Sequence, residues 1–281
     1  MEPSTPPSAP PGDPSEEAPG RSWAETLVRG VRAALVTVVS LTATYLGACL
    51  AALALYAALF PPITGVQLQR RVEGLFAESP PGRVYRPQPL DRLDPDLPRA
   101  VVAGEDSRFF LHNGINWKAV GEAIEEYREG EGLRGASSIT QQLVKNLFMT
   151  THSTYLRKAL EVPLTYAAEG LLSKRRILEL YVNVIEWGPG VYGAEAAARH
   201  HYGHSARRLT RAQAAALAAC IPNPRGRRPA TVGWYQRIIL RRMRRLGPLP
   251  LSHAPLRPGA PGVAGLSPGS LFSSPHAPST P

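Results

Sequence analysis

The order of apolar and polar positions divides the chain into one long apolar run and a longer body of amphipathic segments. No charged residue occurs between Arg32 and Arg70, and Ala33–Phe60 within that interval is nearly all apolar or small. A hydrocarbon core of about 30 Å needs about 20 helical residues, so this run can cross a bilayer. A buried core helix of this length normally shows a polar face, and a signal peptide has a shorter apolar region. The run is therefore predicted to be an uncleaved transmembrane anchor.

The body between Gln67 and Arg245 has mostly helical spacing of its apolar residues. Helices are predicted over Arg99–Leu111, Trp117–Glu129, Ser137 or Ser138 to Phe148, Arg157–Glu169 with an interruption at Pro163, Lys174–Asn183 and Gly193–His201. Thr210 and Gln213 form a capping box that opens another helix. Three glycines and a proline in Glu186–Gly193 indicate a turn. No alternating pattern is long enough for a major sheet, so the fold is predicted to be mainly α.

Composition changes this picture only at the two ends. Seven of the 29 prolines lie in residues 1–20 and nine in residues 247–281. Only two cysteines are present and the hydrophobic content is 43%, which excludes a disulfide scaffold and a fully disordered chain. The predicted organisation is a disordered tail (1–32), a transmembrane anchor (33–60), a helical domain (67–245) and a Pro-rich disordered tail (246–281).

The charge of the chain bears on orientation in the membrane. The formal net charge is +10, and Arg21, Arg29 and Arg32 closely precede the apolar run, whereas Arg70 and Arg71 follow it at a greater distance. Positive charge is enriched on the cytoplasmic side of membrane helices. The N-terminus is therefore predicted to be cytoplasmic, and the domain after the span is predicted to lie on the outer, periplasmic side of the inner (plasma) membrane.

Much of the remaining positive charge lies in one arginine-rich segment. It contains Arg225, Arg227, Arg228, Arg237, Arg241, Arg242, Arg244 and Arg245. Such a segment can bind nucleic acid, contact anionic lipid head groups, or form a solvated basic helix. With a membrane span upstream we expect lipid head groups and no nucleic acid.

The first candidate for chemistry is the acidic segment that begins at Glu105. On a continuous helix Glu105, Phe109 and His112 share one face, and Asp106 is turned about 100° away. An isolated Glu-Asp pair is commonly a surface feature. An acid beside Phe109 in a cleft could instead have a raised pKa and act as a general base.

The second candidate is the Gly-rich entry to the helix that follows. Its apolar stripe is Ile139, Leu143 and Leu147, and its polar face carries Ser138, Gln141, Gln142 and Lys145. Serines at a helix N-terminus and a lysine two turns later suit an anion such as a phosphate. A well-capped surface helix would show the same pattern.

Two further segments contain pairs at helical spacing. Arg157 and Glu161 are four residues apart, as are Glu179 and Asn183. Ile177 and Tyr181 share another face of the later segment. Each pair alone is compatible with an ordinary amphipathic surface helix.

Four segments together resemble the ordered motifs of a known family. EDSRFFLHNG, GASSITQQLVKN, RKALE and KRRILELYVNVIEWGPGVYGAEAAARHHYG are similar to the motifs of the peptidoglycan glycosyltransferases (glycosyltransferase family 51). The resemblance covers roughly Pro89 to Pro224. No Ser-x-x-Lys transpeptidase signature follows, so the chain resembles the monofunctional branch. The family implies a lysozyme-like α fold with a membrane-dipping region.

The resemblance also implies an activity and roles for individual residues. It implies polymerisation of lipid II into glycan strands, with Glu105 as general base and undecaprenyl pyrophosphate as the leaving group. Glu161 matches a second family glutamate that positions cations or a divalent metal (Mg²⁺ or Mn²⁺) on the pyrophosphate. The implied substrate-binding residues are Asp106, Phe109, His112, Ser137, Gln141, Gln142, Lys145, Asn146, Arg157, Lys158, Glu179 and Asn183. Lipid II, the growing lipid-linked glycan, membrane lipids and other cell-wall synthesis proteins are the expected partners.

Two positions depart from the family pattern. Ser138 stands where relatives usually have Thr and keeps the hydroxyl, so little effect is expected. Ser153 stands where relatives commonly have an Arg, which removes a bidentate phosphate contact unless His152 or another cation replaces it. A lysozyme-like hydrolase or lytic enzyme, and a catalytically weak membrane scaffold, are the alternative hypotheses.

Overall fold

The computed structural model describes residues 23–78, 80–130, 135, 137–152 and 154–251. Both predicted terminal tails, apart from residues 23–32 and 246–251, lie outside these ranges, and so does Ser153. The helices are α1 Trp23–Tyr56, α2 Gly65–Gly74, α3 Asp96–Glu105, α4 Trp117–Arg128, α5 Ile139–Phe148, α6 Tyr155–Leu171, α7 Lys174–Val184, α8 Ala194–Tyr202, α9 Arg211–Cys220 and α10 Gly233–Leu246. Single 3₁₀ turns occur at Leu90–Arg92, Phe109–Leu111, Ala206–Arg208 and Pro229–Thr231. The prediction of a mainly α fold is confirmed.

Helix α1 contains the predicted transmembrane run. It has 34 residues and is long and apolar enough to cross a membrane. At 1.5 Å per residue it measures about 51 Å, which exceeds the hydrocarbon thickness. It begins ten residues before the predicted start at Ala33 and ends at Tyr56, four residues before Phe60. The chain divides into two compact units, Met1–Ala48 and Cys49–Pro281, and the second contains the elements from α2 to α10.

The core of the second unit is built by two groups of helices. Helices α3, α9 and α10 pack on one another, and α5 packs against α2, α6 and α7. In α9 the residues from Ala214 to Cys220 are all buried, and five of these seven are alanine. Small side chains allow close packing around α3, the helix that ends at Glu105. On α5 the predicted stripe of Ile139, Leu143 and Leu147 is buried.

A small three-stranded sheet accompanies the helices. β1 (Val84–Tyr85) is parallel to β3 (Val191–Tyr192), which is antiparallel to β2 (Glu186–Gly188). The predicted turn in this segment is the β2–β3 hairpin. Gly193 follows it with φ 88°, and a Cβ there would lie 2.9 Å from the carbonyl oxygen of Asn183. Only glycine fits this backbone position without displacing α7.

The helix prediction over Arg99–Leu111 is wrong at its C-terminal end. Helix α3 stops at Glu105, and Asp106 has extended backbone angles (φ −158°, ψ 78°). Glu105, Phe109 and His112 therefore do not share one helical face. Phe109 is instead fully buried, with the Lys174 ammonium 4.4 Å from its ring centroid.

The predicted interruption at Pro163 is also wrong. Helix α6 runs from Tyr155 to Leu171 with Pro163 inside it. Proline removes one backbone hydrogen bond, to the carbonyl four residues earlier, at Ala159. Ala159 is exposed, so water can bind that carbonyl, and packing of α6 against α5 offsets the remaining cost.

Candidate functional site

The carboxylate of Glu105 lies at the C-terminal end of α3, where the chain leaves the helix. Its Oε2 accepts a hydrogen bond of 2.9 Å from Gln142 Nε2 on α5. The Oε1 of Gln142 accepts a bond of 2.7 Å from the hydroxyl of Tyr181 on α7. Three helices therefore fix the orientation of one carboxylate through a chain of two hydrogen bonds.

The electrostatic surroundings of Glu105 make its carboxylate more basic than an ordinary glutamate. Burial raises the pKa of Glu105 above its ordinary value of 4.5, and the nearby charge of Asp106 adds to the rise. The Gln142 hydrogen bond and the charges of Lys145 and Arg227 oppose it. A carboxylate of this kind is a stronger base than an exposed one.

Lys145, on α5, is a cation whose charge interacts with the Glu105 carboxylate. Burial lowers its pKa below 10.5, with the positive charges of Arg157 and Lys158 acting in the same direction. Glu161 and Glu105 oppose the shift. Within the part of the chain that the structure describes, Lys145 Nζ has no hydrogen bond or ion pair to protein, so its three donors are available to a ligand.

A second group of charges lies on α6, around Glu161. This carboxylate is 2% exposed and binds Arg157 Nη1 and Lys158 Nζ, both at 2.8 Å. Lys158 Nζ is also 3.5 Å from the hydroxyl of Ser137, at the entry to α5. The pairing of Arg157 with Glu161 agrees with their spacing of four residues on a helix. Together with Lys145, three cations surround one carboxylate, which leaves an excess of positive charge suited to an anionic group.

Asp106 and His112 connect the end of α3 to the start of α5. His112 Nε2 lies 3.0 Å from Asp106 Oδ2, and that oxygen also accepts a bond of 3.2 Å from the backbone N–H of Ile139. Asp106 thus satisfies one of the free amides at the N-terminus of α5. These contacts fix the end of α3, which carries Glu105, relative to the start of α5, the helix that carries Gln142.

The polar residues of α5 divide into a cap and a site-facing set. Of Ser137 and Ser138, the two predicted alternatives, Ser138 caps the helix. The amide oxygen of Gln141 accepts a 3.1 Å bond from the Ser138 backbone N–H, which completes a capping box. The side chain of Asn146 donates to the Gln142 carbonyl at 2.8 Å. Gln142 and Lys145 are the two that point to the Glu105 carboxylate and its surroundings.

Glu179 and Asn183 have structural partners far along the chain. Glu179 accepts a bond from the backbone N–H of Leu90 at 2.9 Å and pairs with Arg176. Asn183 exchanges two bonds of 2.8 Å with the backbone of Gln88 and donates to the Glu179 carbonyl. They lie about 200° around α7 from Tyr181, so the structure does not bring them to the Glu105 carboxylate.

Asn183→Ala tests this structural assignment. Asn183 is fully buried, and its loss leaves the N–H and C=O of Gln88 without partners. We expect the free energy of unfolding to fall by about 2–4 kcal/mol, measured by thermal or denaturant unfolding. Asn223→Ala, in an exposed turn, is the control and is expected to cost less than about 1 kcal/mol. An unchanged stability for Asn183→Ala would contradict the assignment.

Two further side chains on α10 support the end of α3. The hydroxyl of Tyr235 donates to the Gly104 carbonyl at 3.0 Å, and Arg242 Nη1 lies 3.4 Å from the Ala103 carbonyl. They bind carbonyls of the last turn of α3, which have no helical partner. Tyr235, Arg242 and Tyr181 were not predicted as site residues. Helical spacing shows which face of a helix is buried, but it does not show which residues of another helix that face contacts.

The described residues contain no group of three or more His, Cys, Asp or Glu side chains placed to hold a metal ion. Both oxygens of Glu161 already accept hydrogen bonds from cations. The divalent cation expected from the resemblance therefore stays a prediction.

Comparisons with known proteins agree with the resemblance of the motifs. The family described as Transglycosylase matches residues 76–245. A "Biosynthetic peptidoglycan transglycosylase" of Marinomonas sp. (strain MWYL1) is 47% identical over 163 residues, which cover 57% of this chain and 72% of that protein. The protein of the same description from Pseudomonas fluorescens (strain SBW25) is 48% identical over 165 residues, covering 59% and 69%. One from Brucella suis biovar 1 (strain 1330) is 45% identical over 163 residues, covering 57% and 73%.

Proposed function

Because the chain belongs to the transglycosylase family, we propose that Glu105 is the general base of its glycosyl transfer. The chain is a peptidoglycan glycosyltransferase, and its substrates are lipid II and the lipid-linked glycan. The observation that carries the proposal is the half-buried carboxylate of Glu105, which accepts a hydrogen bond from Gln142 and lies in the electrostatic field of Lys145. A membrane anchor in α1 agrees with a substrate that is itself embedded in the membrane.

In the proposed reaction Glu105 accepts the proton of the acceptor 4-hydroxyl. The acceptor oxygen then forms a bond to C1 of the donor sugar, and the bond from C1 to the pyrophosphate oxygen breaks. The electron pair leaves with the undecaprenyl pyrophosphate, and the configuration at C1 is inverted. General-base catalysis typically contributes about 10²–10⁴ in rate.

The cations of α5 and α6 are proposed to stabilise the leaving pyrophosphate. Lys145 has no protein partner in the described part of the chain, and Arg157 and Lys158 keep further donors beyond those used by Glu161. Donors placed in advance around a developing negative charge need no reorganisation during the reaction. Ser137 lies at the entry to α5, and Gln142 faces the site from α5; both are proposed to add hydrogen bonds to the substrate. The same role stays a prediction for Gln141, which completes the cap, and for Asn146, which bonds to the Gln142 carbonyl. A divalent cation would supply further positive charge to the pyrophosphate.

A hydrolytic function is supported less well by this geometry. Glycosidases normally use two carboxyl groups, one as an acid and the other as a nucleophile or base. The two other acids that act on this site are engaged: Asp106 with His112 and the Ile139 amide, and Glu161 with two cations. A pyrophosphate leaves as a stable anion and needs no acid, so a single free carboxylate suffices for transfer.

The direct comparison is between the two substrates. The detergent-solubilised chain is incubated with lipid II or with purified cell-wall glycan, and product length is measured by electrophoresis or chromatography. We expect long glycan from lipid II and no fragments from the wall. Release of wall fragments would support the hydrolase hypothesis, and failure to bind a donor analogue would support the scaffold hypothesis.

The rate of polymerisation is expected to follow a bell-shaped pH profile. Glu105 must be deprotonated to act as a base, and its pKa is raised, so the rate is lost as the pH falls through a value above 4.5. Lys145 must be protonated, and its pKa is lowered, so the rate is lost as the pH rises through a value below 10.5. The measurement is kcat/KM for lipid II against pH. An acidic limb at or below pH 4.5 would contradict the assignment of Glu105.

Orientation and lipid contacts belong to the same proposal. We place the N-terminus in the cytoplasm and the domain on the outer side, because Arg29 and Arg32 precede the apolar run closely. On α10 the exposed residues include Trp234, Arg237, Arg241, Arg244 and Arg245, a combination suited to anionic head groups. Contacts with other cell-wall synthesis proteins stay an expectation.

A further inference from the structure

A cavity of about 410 Å³ is lined by residues other than those proposed for catalysis. Its walls come from α2, the segment before β1, the β2–β3 hairpin and Arg225. None of the residues assigned above to the base, the cation group or the helix entry lines it. The catalytic proposal therefore leaves this cavity without a function.

Among the residues that the structure describes, three buried atoms in the cavity walls make no hydrogen bond to protein, although one of them, Arg70 Nε, lies 3.5 Å from a carboxylate oxygen of Glu186. They are Gln67 Nε2, Arg70 Nε and the hydroxyl of Tyr192, and the side chains of Gln67 and Tyr192 belong to residues that are each 2% exposed. Buried polar atoms are normally paired, so each unpaired one indicates a missing partner. Three such atoms in one cavity indicate one ligand.

All three unpaired atoms can donate a hydrogen bond. The amide oxygen of Gln67 accepts from both Arg83 Nε and Arg83 Nη2, at 3.1 and 2.9 Å, which leaves its NH₂ group facing the cavity. Arg70 Nε can only donate. Burial and the charge of Glu186 raise the pKa of Tyr192, so its hydroxyl keeps its proton. The missing ligand must therefore present acceptor oxygens.

The charge of the cavity favours an anion. Four arginines line it, Arg70, Arg71, Arg83 and Arg225, against two glutamates, Glu73 and Glu186. Arg70 is balanced by Glu73 at 2.7 Å and lies 3.5 Å from Glu186. Arg225 acts on both Glu73 and Tyr192 electrostatically, which places its guanidinium beside the cavity. Two positive charges remain in excess.

The residues that line the cavity are close in sequence to the membrane helix, which indicates the source of the anion. Arg83 Nη2 binds the carbonyl of Pro62 at 2.6 Å, only six residues after the end of α1. Leu75, which lines the cavity, is 76% exposed, and the adjacent Phe76 is 87% exposed. Exposed apolar side chains beside arginines, close in the chain to a membrane helix, are typical of a surface that contacts lipid.

We propose that this cavity binds the phosphate of an anionic membrane lipid. The phosphodiester oxygens accept from Gln67, Arg70 and Tyr192, the excess arginine charge neutralises the phosphate, and the acyl chains lie along Leu75 and Phe76. The site is independent of Glu105, so it can be tested without any measurement of catalysis.

The test is lipid binding by the full-length chain in neutral detergent, followed by native mass spectrometry. Phosphatidylglycerol is titrated against the wild type and two variants, Tyr192→Phe and Arg225→Gln. Tyr192→Phe removes only a hydroxyl without a protein partner, and Arg225 is exposed, so both variants should fold. Hydrogen bonds to charged groups are strong, so we expect each variant to weaken the tightest site by about tenfold.

Arg128→Gln, an exposed arginine change on α4, is the charge-matched control and should leave the affinity unchanged. Phosphatidylcholine, of the same size but without net charge, should bind at least about tenfold more weakly than phosphatidylglycerol. Equal affinity in the wild type and both variants would overturn the proposal. Inorganic phosphate binding as tightly as the lipid would indicate a small-anion site, and displacement by a soluble muropeptide would indicate a glycan carboxylate; either result would overturn the lipid assignment.

Discussion

Glu105→Gln is expected to lower the rate of lipid II polymerisation by about 10²–10⁴ while leaving the fold intact. Glutamine cannot accept the proton of the acceptor hydroxyl, but it has nearly the same shape as glutamate. The Gln142 amide can still bond to the new side-chain oxygen, and the substitution removes a negative charge that is disfavoured by burial, as the raised pKa of Glu105 indicates. Stability is therefore expected to be equal or greater.

The matched control is Glu125→Gln, an exposed carboxylate on α4, which should keep the wild-type rate. The measurements are kcat/KM with lipid II and the Tm of both variants in the same detergent. A Glu105→Gln protein with wild-type kcat/KM would show that another group takes the proton. A variant with both a lower kcat/KM and a lower Tm would show that Glu105 stabilises the fold.

Lys145→Met is expected to give the second large effect, a fall of about 10²–10³ in kcat/KM. The ammonium is proposed to stabilise the leaving pyrophosphate, and methionine keeps the length of the side chain without its charge. The half-buried Lys145 has no partner for Nζ among the described residues, and burial lowers its pKa. Removing an unpaired, desolvated charge should leave Tm unchanged or raise it.

A fall in kcat/KM without a fall in Tm would identify Lys145 as a substrate-binding lysine and not a structural one. Lys118→Met, at an exposed position on α4, is the control and should change neither kcat/KM nor Tm beyond experimental scatter. Loss of Tm in Lys145→Met would contradict the assignment, because it would mean that the ammonium stabilises the protein itself. Unchanged kcat/KM would exclude a role in leaving-group departure.

Features determined by neighbours in the chain could be predicted from the sequence. The cap at Thr210 is confirmed, and of the predicted alternatives Ser137 and Ser138 the structure uses Ser138. Each capping side chain bonds to a backbone amide three residues later. The spacing of Arg157 and Glu161 allowed a pair for the same reason, since it spans one helical turn, and the structure contains that pair. The apolar run in α1 needs only length and composition.

Features that depend on distant residues could not be predicted in the same way. Helix α3 ends at Glu105, where Asp106 binds the Ile139 amide, 33 residues later, and Tyr235 binds Gly104, 131 residues away. Helical periodicity continues through this point, so it predicted a longer helix. The bond from Tyr181 to Gln142 spans 39 residues and gives no sequence signal.

In the candidate site, too, the sequence shows which residues are present, and contacts between distant residues show how they are used. The family motifs contain Glu105, Gln142, Lys145 and Glu161. The structure places Gln142 in hydrogen-bonding contact with the Glu105 carboxylate, and the charge of Lys145 acts on the same carboxylate. The motifs also contain Glu179, whose oxygens are used by Leu90 and Arg176. Within these motifs, hydrogen-bond partners therefore separate the residues proposed to act on the substrate from those that bond to other parts of the fold.

The most direct test of the central claim is the product formed from lipid II by the full-length chain in detergent. If Glu105 activates the acceptor hydroxyl for attack on C1, the product is a glycan strand with inverted configuration at the new linkage, and one undecaprenyl pyrophosphate is released per bond formed. Glu105→Gln then forms both products about 10²–10⁴ times more slowly. Retained configuration, or free disaccharide from hydrolysis, would contradict this mechanism.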